Sequence, residues 1–470
     1  MGETQALFAA LRQATDAAVA AAIDRHVKEA PDRELSRINI LDFAARYRLD
    51  EERVIGAFLH AARLGLFELS WNVLCPGCGG VLDSNATLKS VNREEYACAL
   101  CAAGYEPTLD EMVEVAFTVN RRIRRIAAHD PETLAFSEYM RQTFWSSGIE
   151  LPDGSAYVRL LDEIVLDAVE LPPGEKAILS LQLPNQFCIL FDPVTHSAQF
   201  LDVNGAATRE RQNLTVVFNK LRPPTGKVTM RPGPLRVTLD NRTDLRVLPA
   251  IWIAGSALHD LLGKRKKFLT AKRLLTNQTF RDIYRTDTLD VDQRLKITSL
   301  TFLFTDLKGS TELYERVGDL VAYDMVREHF RVLHQVVASH AGAVVKTIGD
   351  AVMATFATPD QAIAAALEMR DAMPNLHARA RHEDLVLKIG VHEGPCLAVM
   401  VNDRLDYFGQ TVNIAARVQG LAVSRSIFAT KAVIDNEQAA GLLDAAGLTP
   451  MPQQALLRGV VDRYTVYEIP

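Results

Sequence analysis

Cys75-Pro76-Gly77-Cys78 and Cys98-Ala99-Leu100-Cys101 constrain this chain more than any other stretch. Each pair sets two thiols on a tight knuckle, and the polar segment between them can fold back so that four sulfurs meet tetrahedrally around one ion. Gly79, Gly80 and Gly104 give the backbone room to turn. The pattern predicts a zinc ribbon with structural Zn2+, because four thiolates leave no coordination position open to a substrate. A thioredoxin-like redox site would instead use one Cys-x-x-Cys in a βαβ setting. Cys188 and Cys396 stand alone in apolar runs and read as small core residues. This cysteine usage suits a reducing, cytoplasmic location.

At 470 residues the chain exceeds what one hydrophobic core serves, and roughly two to four domains are expected. The formal net charge of -6 argues against nucleic acid as a partner. No segment reaches the roughly 20 apolar residues that span a bilayer, so no integral membrane segment is expected. The N-terminus has no basic region followed by an apolar run.

Taken in order, residues 1–72 read as a helical, winged-helix-like unit. Helical spacing runs from about Thr4 to Lys28 and from Asn39 to Tyr47, and a third helix, Glu51–Arg63, is N-capped by Asp50 and ended by Gly65. Leu66–Trp71 alternates as a strand does. The third helix carries Glu51, Glu52, Arg53 and Arg63 without a basic stripe, which favours packing or docking over DNA binding. Residues 73–107 form the expected zinc ribbon and 108–155 a helical connector, whose Arg121, Arg122, Arg124 and Arg125 suit a solvated or salt-bridged face. Between 156 and 257 the texture changes to short alternating runs such as Ala177–Leu183 and Phe187–Phe191, separated by breakers such as Pro172-Pro173-Gly174 and Asn204-Gly205. These predict a β-rich antiparallel sandwich or barrel, a regulatory module for an unidentified ligand or protein. Residues 258–296 read as a helical linker, and the run Lys264-Arg265-Lys266-Lys267 as solvated or interdomain.

Residues 297–470 carry the chemistry. Strand Ile297–Thr305 leads to Asp306 and then to Gly309-Ser310-Thr311, which opens a long helix to His340. Ala343–Ile348 and Ala351–Phe356 are strands joined at Gly349-Asp350; Asp360–Met373 is a helix; Leu385–Val391 and Cys396–Val401 are expected to pair about a turn at Glu393-Gly394-Pro395. Gly459-Val460 and Tyr464–Tyr467 read as the closing strand. That order predicts a ferredoxin-like α/β sandwich with helices on one face, within a multidomain α+β chain. Asp306 and Asp350 then face each other at strand ends. Two such carboxylates repel unless a hard cation, Mg2+ or Mn2+, lies between them. The Gly309-Ser310-Thr311 helix start offers free N–H groups to a phosphate. Together these groups spell metal-assisted phosphoryl chemistry. His392, beside Gly390 and Gly394, reads as a residue packed in the sheet.

Phe304-Thr305-Asp306 with Gly309-Ser310-Thr311, Lys346-x-x-Gly349-Asp350, and Asp406-x-x-Gly409-x-x-Val412-Asn413-x-Ala415-Ala416-Arg417 resemble the three signature blocks of the class III adenylate/guanylate cyclase catalytic domain. The resemblance covers roughly the last 175 residues, in block order and interval. It implies conversion of a nucleoside triphosphate to a 3′,5′-cyclic monophosphate and pyrophosphate, in a homodimer with interfacial sites. By motif position, Asp306, Asp350 and the carbonyl of Leu307 would hold two divalent ions. Lys346 and Asp406 would read the base, with the polarity of adenine, which points to ATP. Asn413 would orient the ribose, and Arg417 would meet charge on the transferred phosphate. A guanylate cyclase, a silent nucleotide-sensing homologue and a zinc-ribbon nucleic-acid binder are the alternatives. The last two would need damaged motifs or a basic surface, and the sequence has neither.

Overall fold

The computed structural model describes residues 2–91, 95–219, 226–284, 289, 294–308, 315, 318–380, 386–422, 426–459 and 463–470, with the backbone alone over 374–380. The chain divides into two compact units. One comprises Met1–Ala86, Ser90–Pro107 and Met112–Leu269; the other comprises Thr270–Pro470 with the short segments Thr87–Lys89 and Thr108–Glu111.

The N-terminal unit opens with α1 (Glu3–Ala14) and α2 (Ala17–Glu29) where one helix was expected. The break follows from Asp16, whose carboxylate accepts from the N–H groups of Ala18 and Val19 at 2.8 and 3.2 Å and starts a new helix. α3 (Ile40–Tyr47) and α4 (Glu51–Arg63) are capped by Asn39 and Asp50. β1 (Phe67–Leu74) pairs with β2 (Val81–Asn85), and the hairpin of β3 (Tyr96–Cys98) and β4 (Ala103–Tyr105) carries the second knuckle.

The helix expected after Thr108 is instead β5 (Val113–Val119), antiparallel to β1. Three valines, a threonine and a phenylalanine within seven residues favour the pleated surface, and Trp71 lies opposite Val115. Short 3-10 turns, α5 (Phe136–Tyr139) and a π-turn at Met140–Phe144 complete that connector.

After α6 (Gly154–Ile164) come β6 (Val165–Ala168), β7 (Lys176–Leu183), β8 (Cys188–Asp192), β9 (Ser197–Val203), β10 (Gln212–Phe218), β11 (Lys227–Met230), β12 (Gly233–Asn241), β13 (Ala250–Ile253) and then α7 (Ser256–Gly263). Two sheets, β10-β12-β7 and β11-β9-β8-β13-β6, share a core that includes Leu190, Leu201, Phe218, Val237 and Ile251. The antiparallel expectation fails at two pairs: β10 with β12 and β9 with β11 run parallel. In each case the intervening strand belongs to the other sheet, so the chain crosses over between partners rather than turning back in a hairpin.

The C-terminal unit contains α8 (Ala271–Leu275), α9 (Gln278–Ile283), β14 (Leu295–Lys308), α10 (Asp319–Ser339), β15 (Ala343–Ile348), β16 (Ala351–Phe356), α11 (Pro359–Ala380), β17 (Val386–Val401), β18 (Arg404–Phe408), α12 (Gln410–Gln419), β19 (Ile427–Thr430), α13 (Lys431–Ile434), α14 (Glu437–Ala445), β20 (Met451–Leu456) and β21 (Arg463–Ile469). The sheet order is β15-β16-β14-β17-β19-β21-β20, with β18 on β17.

The expected hairpin at Glu393-Gly394-Pro395 is absent: β17 runs through it as one strand, paired with β14 from Val386 to Ala398. Pro395 lies opposite a bulge of β14 at Thr298-Ser299, where the ladder asks for no N–H. The chain turns instead at Asn402-Asp403, both with positive φ (50° and 58°), as a two-residue hairpin requires. The bulge N–H groups are met by Asp110, which accepts from Thr298 N at 2.8 Å and Ser299 N at 3.0 Å.

Helices flank both faces rather than one. Leu333 of α10, Ile363 of α11 and Leu443 of α14 share a core with Leu303, Ile389 and Ile427; Ile414 and Val418 of α12 pack with Phe428 and Val466. Gly390 makes that second face possible, since a Cβ there would lie 2.2 Å from Gln419 N.

Candidate functional site

Asp306 ends the apolar run Leu303-Phe304-Thr305, and the next turn of the same sheet supplies Asp350. Register pairs Thr305 with Val352, so the two aspartates lie one residue beyond on the antiparallel strand β14 and two before on β16. The Thr305 hydroxyl accepts from Val352 N at 3.1 Å and pins these ends together. Gly349, at φ 63°, makes the turn that delivers Asp350. Asp350 Oδ2 is buried and has no hydrogen-bond partner among the described residues. An orphaned carboxylate oxygen is a donor that a hard divalent cation satisfies, and Asp306 stands on the neighbouring strand. Leu307 is buried on the same strand, and Gly309, Ser310 and Thr311 lie outside the described residues.

Lys346 of β15 and Asp406 of β18 meet: Lys346 Nζ lies 2.5 Å from Asp406 Oδ2. Asp406 is the more buried of the two, at 15% side-chain exposure against 41%. Its other oxygen accepts from Tyr407 N at 2.8 Å, which fixes the carboxylate plane. Asn413 and Arg417 ride on α12, the first exposed and the second half-buried. The Arg417 guanidinium lies alongside Gly459, 3.7 Å from where a Cβ would stand.

His392 is 5% exposed, with Nδ1 2.7 Å from Thr430 Oγ1 and its ring edge-on to Tyr464. Burial pulls its pKa down to about 4, so it is a neutral member of the sheet rather than a proton carrier at neutral pH.

In the N-terminal unit the four sulfurs of Cys75, Cys78, Cys98 and Cys101 lie within 4.8 Å of one another. Cys75 faces Cys101 and Cys78 faces Cys98, each at 3.7 Å. Hydrogen bonding from Cys101 holds the Cys75 thiol well below its ordinary range, while the same neighbour pushes Cys78 up. Without a cation the cluster cannot hold four thiolates; with one it can. Three of the four cysteines share a core with Phe144, Trp145, Phe191 and Trp252, so the knuckles are built into the unit. The basic run is absorbed here as well: Arg265 donates to the Gly77 carbonyl at 2.9 Å, and Lys266 pairs with Asp42 at 3.1 Å.

Residues 1–282 match the family described as a family of unknown function, DUF5939. The chain belongs to that family. Residues 293–444 match the adenylate and guanylate cyclase catalytic domain. Guanylate cyclase 32E of Drosophila melanogaster is 30% identical over 154 residues, which are 30% of this chain and 13% of that protein. Adenylate cyclase 2 of Rhizobium meliloti is 33% identical over 132 residues, 26% of this chain and 36% of that protein. The chain thus spans about an eighth of the first relative's length and little more than a third of the second's. The crystal structure of the adenylyl cyclase CyaB from P. aeruginosa aligns at 20% identity with a TM-score of 0.34, covering 38% of this chain and 96% of that one.

Within the cyclase domain the structure adds Lys388, which the sequence reading passed over. It sits directly opposite Asp306 in the β14–β17 register, with Nζ 3.6 Å from Asp306 Oδ2. Its signal was a lone lysine inside the apolar run Val386–Val391.

Proposed function

We propose that this DUF5939 chain is an adenylate cyclase that converts ATP to 3′,5′-cyclic AMP and pyrophosphate. The observation that carries the reading is the pair of Lys346 and Asp406, sixty positions apart in sequence and 2.5 Å apart in space, in the same unit as Asp306 and Asp350. Lys346 donates to a ring nitrogen of adenine and Asp406 accepts from the exocyclic amine. Guanine presents the opposite polarity at that edge and would leave both groups unmatched.

Asp306, Asp350 and the Leu307 carbonyl would hold two Mg2+ or Mn2+ ions, which supply charge that acidifies the ribose 3′-hydroxyl and neutralises the leaving pyrophosphate. Asn413 orients the ribose so that its 3′-oxygen approaches the α-phosphorus in line. Arg417, one helical turn along, meets the charge that gathers on the phosphoryl oxygens. The 3′-oxygen to phosphorus bond forms as the bond to the β-phosphate oxygen breaks, and the hydroxyl proton leaves to solvent. Gly309-Ser310-Thr311 belong to the phosphate loop in this reading. A homodimer supplies the two aspartates from one protomer and the base, ribose and phosphate residues from its partner. Cys75, Cys78, Cys98 and Cys101 hold a structural Zn2+, and the rest of the N-terminal unit receives a regulatory signal from a ligand or protein.

Purified chain incubated with ATP or GTP and Mg2+ or Mn2+ tests this, with Asp306→Ala alongside. Cyclic AMP from ATP, lost in the variant, is the expected result. Equal silence of both proteins with both nucleotides would end the reading, and cyclic GMP alone would end the choice of adenine.

A further inference from the structure

Asp406 is bracketed by ties to a segment outside the stretch matched as a cyclase domain. β15 and β18 each have a single strand partner among the described residues, β16 and β17 respectively, so each presents an open edge. The chain from Leu275 to Arg281, within the DUF5939 match, meets both edges. Gln278 Oε1 accepts from the Val344 N–H at 2.8 Å, two residues before Lys346. Arg281 Nη2 donates to the Leu405 carbonyl at 2.6 Å, one residue before Asp406, and its guanidinium carbon lies 5.9 Å from the centre of the Tyr407 ring. Tyr407, one residue after Asp406, donates its hydroxyl to the Leu275 carbonyl at 3.3 Å.

The strands that carry Lys346 and Asp406 are thus joined through one short helix. A pocket of about 250 Å³ is lined by Gln278, Arg281, His334, Lys346 and Arg404. Arg281 Nη1 is buried at this wall without a partner among the described residues. α9 therefore meets both strands through direct hydrogen bonds to main-chain groups that flank the pair. Such bonds weaken steeply with displacement, which ties the two strands to the position of α9.

We propose that Gln278 and Arg281 are positioning residues for base recognition: they set the spacing of Lys346 and Asp406 and with it the affinity for nucleotide and the choice between ATP and GTP. The inference rests on the reading of Lys346 and Asp406 as the base-reading pair. It gives a segment of the DUF5939 match a direct hold on substrate selection.

The test uses the full chain and the variants Arg281→Met, Arg281→Lys and Gln278→Ala, with turnover of ATP and GTP in Mn2+ and equilibrium binding of a fluorescent ATP analogue. Arg281→Met keeps a side chain of similar length and removes the bond to Leu405. The KM for ATP and the Kd for the analogue should rise about 5- to 20-fold, part of what one charge-assisted hydrogen bond is worth, while kcat stays within about twofold. The preference for ATP over GTP should fall, and Arg281→Lys, whose ammonium still reaches a carbonyl, should recover most of both. Gln278→Ala removes one bond and no buried charge, so it stands in if Arg281→Met fails to fold. A fall in kcat with KM and nucleotide preference unchanged, or an Arg281→Lys variant no better than Arg281→Met, overturns the positioning role. Lys346→Ala with its preference for ATP intact overturns the base-reading pair itself, which separates the two failures.

Discussion

At Asp350 a carboxylate oxygen is buried with no donor to meet it, a deficit of roughly 1–3 kcal/mol until a cation or a proton donor arrives. Asp350→Asn should therefore leave the unliganded protein about as stable as before, or up to roughly 1 kcal/mol more so, while the rise in thermal midpoint on adding Mn2+ disappears and cyclic nucleotide formation falls at least about 100-fold. Thermal melts with and without Mn2+, alongside turnover, check this. His392 gives a pH dependence with a definite sign. Buried, it stays neutral down to about pH 4, whereas an unfolded histidine titrates near 6.5. Between those values the unfolded chain binds the extra proton, so stability is complete above about pH 6.5 and drains away toward pH 4, by up to about 3 kcal/mol. Urea titrations from pH 7 to 4.5 should show that slope, and His392→Gln should flatten it.

Asp306 and Asp350 drew notice in the sequence as carboxylates that follow apolar strands, whereas Lys346 and Asp406 were singled out only by the resemblance of their blocks to the cyclase signature. Lys388 and Arg281 were not. Lys388 left only the trace of a lone lysine in an apolar run, and the partner of Arg281 lies on a strand over a hundred residues away, so neither partner could be read locally.

Elements were legible where caps and alternation agreed, as at Asp50 before α4 and at the β15–β16 hairpin. Local turn chemistry misled at Glu393-Gly394-Pro395, since the partner strand bulges opposite and lets Pro395 lie in an extended ladder. It misled again after Thr108, where β-branched residues pair with β1 in a register that only the folded sheet supplies. Gly390 belongs to the same class. In sequence it is a single glycine in an apolar run, yet a Cβ there would stand 2.2 Å from Gln419 N and 2.4 Å from its Cα, main-chain atoms that cannot rotate away. Gly390→Ala should lift α12, with Asn413 and Arg417, off the sheet. A loss of about 3 kcal/mol or more in chemical denaturation is expected, together with a larger loss of kcat than of nucleotide affinity.

For the molecule as a whole, the cysteine cluster shares its core with the aromatic residues of the N-terminal unit, so removal of the proposed Zn2+ should be felt beyond the knuckles. Incubation with a strong zinc chelator should release about one equivalent of zinc per chain and lower the thermal midpoint of the N-terminal unit, and Cys78→Ser should reproduce the effect without chelator. A melting curve unmoved by either treatment would argue against a structural ion.

Asp110 draws a border that family matching does not. Its carboxylate accepts from Thr298 N and Oγ1 and from Ser299 N, and Lys272 lies 3.8 Å away. Anyone who trims the gene to begin at residue 293, where the cyclase match starts, discards both the acid that neutralises those amides and the helix that spans β15 and β18. Such a fragment carries every motif and still falls short of the unit that folds, so poor expression or weak turnover from it would say nothing against the enzyme.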